Sequence, residues 1–338
     1  MRALFIGGTG IISTSVSRLA VEQGWDLTLL NRGSKPSEVS GARQIVADMA
    51  DEEAVAKALG DARYDVAVDF IAFSPEQAQR DIRLFQGQCG QYIFISTASV
   101  YHKPLPSPII TESTALSNPY WIYSQKKLAC EDVLMQAYRA SGFPVTIVRP
   151  SHTFAPRSIT VPVHGKYGFW QVLQRMRAGK KILVPGDGNT LWAVMTSEDF
   201  ARAFLGLMGN VHAIGEAVQI ASEELLTWNQ ILQIIARALQ AEYRPCYVPS
   251  TLLAKTARYD FQGALLGDKS NTVIFDNAKL KRLVPGFQAR KRFDQAAPES
   301  IAYLLAHPQY QIPDPEFDAF CDQVVAVMER TEKEIAAI

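Results

Sequence analysis

Through the first 150 residues, short apolar runs alternate with longer stretches in which apolar residues recur every three or four positions. Ala3–Ile6, Leu27–Leu30, Gln44–Ala47, Asp65–Phe70, Tyr92–Ser96 and Val145–Val148 read as strands. Several of them are apolar on both faces, as buried parallel strands are. Ile11–Gln23, Asp51–Leu59, Pro75–Phe85 and Pro119–Ala140 read as helices, the first two stopped by Gly24 and Gly60. Buried strands separated by helices need crossover connections, so this pattern predicts a parallel sheet covered on both faces.

After Pro150 the rhythm changes. Segment 151–192 carries Pro156, Pro162, Pro185 and five glycines, which predicts loops with one helix near 168–178. Ser197–Met208 reads as a helix and Ala217–Ile220 as a strand, both fit to return to the first sheet. Further helices are predicted near 227–240, 277–283, 296–306 and 315–336. The expected fold is α/β, a Rossmann-type doubly wound parallel sheet with a smaller, mostly helical C-terminal substrate domain. Residues 1–155 with about 193–221 would form the dinucleotide-binding part, and 156–192 with 222–338 the substrate-binding part.

Composition narrows the function. With 48% hydrophobic and 20% charged residues in 338, the chain can bury a large core and is not a disordered segment. Lys+Arg and Asp+Glu both number 34, which gives no cation surplus for broad phosphate-backbone binding, so nucleic acid is not the expected partner. Cys89, Cys130, Cys246 and Cys321 form no CxxC pair, and His152, His164 and His212 lack metal-ligand spacing, so neither a disulfide framework nor a metal site is expected. The opening Met1-Arg2-Ala3-Leu4-Phe5-Ile6-Gly7-Gly8 is too short an apolar run for a signal peptide, and no apolar stretch of about 18 residues is present. A soluble cytoplasmic protein is the expectation.

Gly7, Gly8, Thr9 and Gly10 follow a strand and open a helix, the setting a dinucleotide turn requires. Glycine lets backbone amides approach a pyrophosphate, whose charge suits the positive end of a helix. Ile11 and Ile12 begin that helix, and Ser13 stands where a third glycine is usual. The second strand ends in Asn31-Arg32 rather than Asp or Glu. A carboxylate there would repel a 2′-phosphate. Asn31, Arg32 and Lys35 remove that repulsion, so the cofactor is NAD or NADP with a lean to NADP. Asp48 suits either an acceptor for the adenine amino group or a helix cap near Asp51.

Tyr123 and Lys127 lie four residues apart on one predicted helix and share a face. A phenol with an ordinary pKa near 10 is a weak base at neutral pH, and a neighbouring cation favours its phenolate, so Lys127 is expected to lower the pKa of Tyr123. Lys127 can also hold the nicotinamide ribose. Thr97, at the C-terminal end of a strand, would orient the reacting substrate oxygen. Ser96 and Ser99 are rivals by chemistry alone.

These residues together give a chain that resembles the short-chain dehydrogenase/reductase superfamily, in its extended branch of NAD-dependent epimerases and dehydratases. The resemblance rests on Gly7-Gly8-Thr9-Gly10, Asp48, Ser96-Thr97-Ala98-Ser99-Val100-Tyr101, Tyr123 with Lys127, Arg149-Pro150-Ser151-His152, Gly186-Asp187-Gly188 and Ser197-Glu198-Asp199-Phe200. It implies a catalytic trio of Thr97, Tyr123 and Lys127. It places Phe70, Ile71 and Ala72 at the adenosine side and Pro150, Ser151 and His152 near the nicotinamide. Ser99, His152 and Trp192 are candidate substrate contacts, and Trp170 a further wall or core residue. Helices over 76–88 and 120–140 would pair in a homodimer.

The departures from the family are informative. Thr97 is followed by Ala98-Ser99, not by the Asp-Glu that sugar 4,6-dehydratases use to eliminate water. Asn189-Thr190-Leu191-Trp192 and Leu265-Leu266-Gly267-Asp268 lack the arginines that clamp the diphosphate of a nucleotide sugar. Lys166 or Arg175 would have to serve instead. The expectation is an NAD(P)-dependent epimerase or oxidoreductase acting on a hydroxyl or carbonyl of a sugar or sugar-like small molecule. The alternative is an RNA-binding or regulatory member resembling chloroplast stem-loop-binding proteins, which would use the basic residues Lys279, Lys281, Arg282, Arg290, Lys291 and Arg292.

Overall fold

The computed structural model describes residues 1–33 and 39–338. In chain order the first half runs β1 (Arg2–Ile6), α1 (Ile11–Glu22), β2 (Asp26–Asn31), β3 (Arg43–Val46), α2 (Glu52–Leu59), β4 (Tyr64–Asp69), α3 (Pro75–Phe85), β5 (Cys89–Ile95), β6 (Ile109–Ile110), α4 (Ile122–Ser141) and β7 (Val145–Pro150). The second half runs β8 (His152–Phe154), α5 (Trp170–Arg177), β9 (Ile182–Pro185), β10 (Leu191–Thr196), α6 (Ser197–Leu207), β11 (Ala217–Ile220), β12 (Leu225–Thr227), α7 (Trp228–Ala238), β13 (Pro245–Val248) and α8 (Ser250–Leu253). A π-helix over Gln262–Lys269 follows, then β14 (Ile274–Phe275), α9 (Ala278–Leu283), α10 (Phe293–Ala306) and α11 (Pro315–Ala336).

Seven strands form one parallel sheet in the order β3-β2-β1-β4-β5-β7-β11. The order turns back between β1 and β4, so a crevice opens there at the carboxyl ends of the strands. Alternate residues of β1 feed opposite faces: Ala3 and Phe5 pack with Val16, Phe200 and Phe204, while Leu4 and Ile6 pack with Phe85, Cys130 and Leu134. This two-sided burial is why the strands read as apolar runs. A third apolar cluster, containing Trp170, Leu173, Trp228, Ile231 and Phe317, belongs to the later segments.

Those later segments are less helical than the sequence predicts. β8, β10 and β12 form a three-stranded sheet, β9 pairs with β13, and β6 pairs with β14. Each of these strands is only two to six residues long and takes its partner from a distant segment. Too few alternating positions exist in such strands to register as a period of two. Helix α4 begins at Ile122 rather than Pro119, because Asn118 Oδ1 accepts from the Tyr120 amide (3.2 Å) and holds the preceding residues in a turn.

One buried ion pair fixes α4 to the sheet. Arg149, near the end of β7, donates from Nε and Nη2 to the two carboxylate oxygens of Glu131 on α4 (3.0 and 2.5 Å). Ser96, just past β5, donates to the same carboxylate, and the Tyr101 ring lies 5.1 Å from the Arg149 guanidinium. Both charged side chains are at most 4% exposed. Removing one partner of such a pair leaves a buried charge uncompensated. Glu131→Ala is expected to cost about 3–5 kcal/mol of unfolding free energy. Urea unfolding monitored by circular dichroism measures it, and a loss under about 1 kcal/mol would contradict the role assigned to the pair.

Candidate active site

The turn between β1 and α1 is built to sit close to a ligand. Gly7 has φ +80° and packs so near Ile71 that a Cβ would collide with that side chain. The Thr9 amide donates to the Gly7 carbonyl (2.9 Å). Ser13 does more than stay small: its Oγ accepts from the Gly10 amide (2.7 Å) and donates to the Gly7 carbonyl (2.9 Å). It therefore laces the turn where a third glycine was expected. The Gly10 amide is thus satisfied within the turn. The first-turn amides of α1, at Ile11 and Ile12, have no intrahelical acceptors, as at any helix start, and suit an anionic diphosphate.

A cavity of about 620 Å³ extends from this turn, lined among others by Gly7, Thr9, Gly10, Asn31, Arg32, Asp48, Ile71 and Phe73. Asp48 accepts from the Ala50 amide (2.9 Å), while Asp51 caps α2 by accepting from Ala54 (2.9 Å). Asp48 is therefore not the cap of that helix and stays on the cavity wall. Lys35 lies outside the described residues. The amides of Ile71 and Ala72 both donate to Asp69 Oδ1 (2.5 and 2.8 Å), so they are spent inside the protein. Phe70 and Ile71 border the cavities with side chains and not with free amides, while Ala72 is fully buried and lines neither.

Phe73 also borders a second cavity, of about 400 Å³. Thr97, Ser99, Tyr123, Lys127, Pro150, Ser151, His152 and Trp192 all line it, with Ile12 and Phe70. The structure thus gathers onto one cavity residues from β5, α4, β7, β8 and β10. Ser96 is removed as a rival to Thr97 because its hydroxyl is committed to Glu131. Ser99 Oγ lies 3.0 Å from Thr97 Oγ1 and 2.6 Å from Ser124 Oγ, a short hydroxyl chain ending at the cavity.

One expectation is corrected. The Tyr123 phenol is pushed up, not down: burial raises its pKa, the Thr97 hydrogen bond works against that, and Asp268 adds to the rise. The Lys127 ammonium is spent elsewhere. It donates to the Ala72 and Ile95 carbonyls (2.7 Å each) and lies over the rings of Phe73 and Phe94 (4.3 and 4.7 Å). Burial lowers its own pKa to about 8, with Asp69 opposing.

His152 is a neutral imidazole, since burial, followed by the Lys269 and His164 charges, lowers its pKa to about 3. Its ring faces Trp192 (6.5 Å), which stacks on Trp228 (5.4 Å). Trp170 is a core residue. Ser151 Oγ and Trp192 Nε1 are buried without a hydrogen-bond partner. Sequence alone did not mark Lys103, Trp121 or Asp268 as site residues, yet all three line the cavity. The single available signal was the Gly267-Asp268 pair.

The two substitutes for a diphosphate clamp are elsewhere. Arg175 is spent on Asp318 and Asp322 (2.7 and 2.8 Å) and on the Lys181 carbonyl. Lys166 lines a separate cavity of about 210 Å³ with His164 and Lys269. Within the basic cluster, Lys279, Lys281, Lys291 and Arg292 pair with Glu216, Glu223, Glu299 and Asp294 respectively. That pairing leaves little net positive field for a nucleic acid backbone.

The sequence profile of the NAD dependent epimerase/dehydratase family matches residues 3–221, from β1 through β11. The chain belongs to this family. It is accordingly an enzyme of NAD-dependent epimerase and reductase type, with the extended short-chain dehydrogenase/reductase fold. The chain is 23% identical over 301 residues to 2′-dehydrokanamycin reductase of Streptomyces kanamyceticus, covering 86% of this chain and 81% of that protein. It is 26% identical over 251 residues to the chloroplast stem-loop binding protein of 41 kDa b of Arabidopsis thaliana, covering 70% and 63% respectively. Its fold matches UDP-glucose 4-epimerase from Bifidobacterium longum, solved with NAD+ and UDP, at a TM-score of 0.70 and 16% identity over 92% of this chain and all of that one. An epimerase from Methanothermobacter thermautotrophicus matches at 0.73 and 17% identity, covering 90% and 92%. Among the described residues, no helix is long and apolar enough to cross a membrane.

His152 yields a pH test. Between pH 6.5 and about 3 the unfolded chain takes up a proton that the folded site refuses. Stability from this group is complete above 6.5 and is lost as pH falls, by up to about 1.4 kcal/mol per pH unit. In urea titrations between about pH 7 and 5, His152→Asn should show a shallower loss than the wild type. Equal slopes would mean that the imidazole is not held neutral.

Proposed function

We propose that this enzyme interconverts a hydroxyl and a carbonyl on a sugar or sugar-like small molecule, with Tyr123 as the proton carrier. What supports the reading is the convergence of Thr97, Tyr123 and Lys127 on one cavity, which shares the Phe73 wall with the glycine-turn groove. The groove fits a dinucleotide: it offers the open first-turn amides of α1, a Gly7 position with no room for a Cβ, and the half-exposed apolar faces of Ile71 and Phe73. When bound, the nicotinamide would supply the hydride acceptor and donor.

The protein's own residues supply the rest. Thr97, which lines the same cavity as the Tyr123 phenol, would hold the reacting oxygen beside it. Tyr123 would take the hydroxyl proton in oxidation and return it in reduction. With its pKa raised, the phenol is protonated at neutral pH, the form from which reduction of a carbonyl starts. Lys127 keeps one N–H beyond the two it gives to carbonyls, which suits the cofactor ribose. The uncharged His152 and the Trp192 face would pack against the substrate ring. Residues 156–192 and 222–338 would form the substrate-side unit over the crevice. The relatedness to a reductase of a kanamycin derivative agrees with a sugar-bearing substrate that carries no nucleotide.

Arg32, exposed beside Asn31 with no carboxylate at the end of β2, favours a 2′-phosphate and so NADP. By calorimetry, NADP should bind more tightly than NAD, and Arg32→Ala should erase the difference. Equal affinities in the wild type would remove the preference. For the chemistry, Tyr123→Phe should keep its fold and its cofactor affinity and lose about 10²–10⁴-fold in turnover, read by nicotinamide absorbance with a panel of oxidised sugars. Full turnover in that variant would end the proton-carrier reading.

A further inference from the structure

We propose that Lys103 and Asp268 form the specificity end of the substrate cavity, and that they bind an uncharged vicinal diol of a polyhydroxylated ring rather than a diphosphate. The inference rests on the oxidoreductase reading above and adds to it the chemistry of the substrate's non-reacting end.

Both side chains line the same cavity as Thr97, Tyr123 and Lys127, and they come from unrelated segments. Lys103 sits in the loop after Tyr101, and Asp268 on the π-helix over Gln262–Lys269. Lys103 is 1% exposed. Among the described residues, neither its ammonium nor the Asp268 carboxylate has a hydrogen-bond partner, and the two feel each other only through space. Burial pushes the Lys103 ammonium down and Asp268 up to about 6, with each partner's charge opposing the shift of the other. Asp268 is close enough to Tyr123 to raise the phenol as well. A buried ammonium and a partly buried carboxylate without hydrogen-bond partners among the described residues carry a desolvation cost that a ligand can relieve.

The placement of Asp268 is built rather than incidental. Asn118, which is buried, donates through one amide nitrogen to the Ser99 carbonyl and to the Gly267 carbonyl (2.7 Å each). A single side chain thus ties the Thr97–Ser99 segment to the residue before Asp268. Gly263 has no room for a Cβ against Trp121, and a Cβ at Gly267 would press closely on Asn118 and Trp121, so the π-helix lies directly on the turn that precedes Tyr123.

The chemistry of the pair selects its ligand. Lys103 offers only donors and Asp268, when ionised, only acceptors. Adjacent hydroxyls can accept from the first and donate to the second. Their charges cancel, so a neutral group is matched, whereas a diphosphate would bring its charge against Asp268. Among the described residues no arginine lines this cavity, and its second cation, Lys127, is held by the Ala72 and Ile95 carbonyls. The indole of Trp192, which lines the same cavity, gives an apolar face for ring C–H groups.

The test uses the full chain loaded with NADP+ and titrated with myo-inositol, with methyl α-glucoside and with UDP-glucose, by calorimetry. The two polyols should bind and UDP-glucose should bind more weakly. Lys103→Met and Asp268→Asn should each weaken polyol binding about ten- to a hundred-fold, as loss of a charged hydrogen bond does, while NADP+ affinity stays unchanged. UDP-glucose binding more tightly than both polyols overturns the inference. So does polyol binding that is absent, or that neither variant alters. Those outcomes leave the oxidoreductase reading standing, because it is tested separately by Tyr123→Phe and by the cofactor titration.

Discussion

The Glu131–Arg149 pair is the constraint on which the candidate site depends. Helix α4 carries Tyr123 and Lys127 at its start and Glu131 two turns later. Arg149 sits near the end of β7, immediately before Pro150, Ser151 and His152. A bidentate guanidinium–carboxylate contact has a fixed planar geometry, so it sets both the depth and the rotation of α4 against the sheet. Ser96 adds a third tie to the strand end that presents Thr97. One buried charge pair therefore sets the relative positions of three segments that meet at the cavity. The Coulomb gain of such a pair is largely offset by desolvation, and its value here lies in orientation more than in net stability.

The cavity is a place where burial shifts acids and bases in opposite directions. Tyr123 and Asp268 are raised, while Lys127, Lys103 and His152 are lowered. Each shift disfavours the charged form, as expected where desolvation outweighs the neighbouring charges. The ammonium of Lys127 is stabilised by two carbonyls and two aromatic faces instead of by a carboxylate in contact with it. That arrangement fixes its direction without neutralising it.

The sheet and its cofactor turn were legible because each depends on local rules. A parallel strand buried on both faces is a continuous apolar run, and a βα turn that approaches a phosphate needs glycine, so Ala3–Ile6 followed by Gly7 announces both. Tyr123 and Lys127 were legible because i and i+4 on a helix share a face whatever the helix packs on. The small sheets were not, because β6 and β14 pair two residues each across nearly half the described chain. Neither were the uses to which groups are put: the Gly10 amide taken by Ser13, the Ile71 and Ala72 amides taken by Asp69, and the Lys127 ammonium taken by two carbonyls. Hydrogen-bond partners chosen across space leave no trace in spacing.

The sequence by itself determined the alternation of elements, the dinucleotide turn, the tyrosine–lysine helix and the family to which they belong. Periodicity and backbone conformational demands act within a few residues, and those are written in the chain. Tertiary structure alone decided that the phenol is raised, that Arg175 serves the α5–α11 contact, and that Lys103 and Asp268 share one cavity with Tyr123. Those outcomes are set by burial and by long-range approach, which depend on how the segments pack, and the order of residues does not contain them.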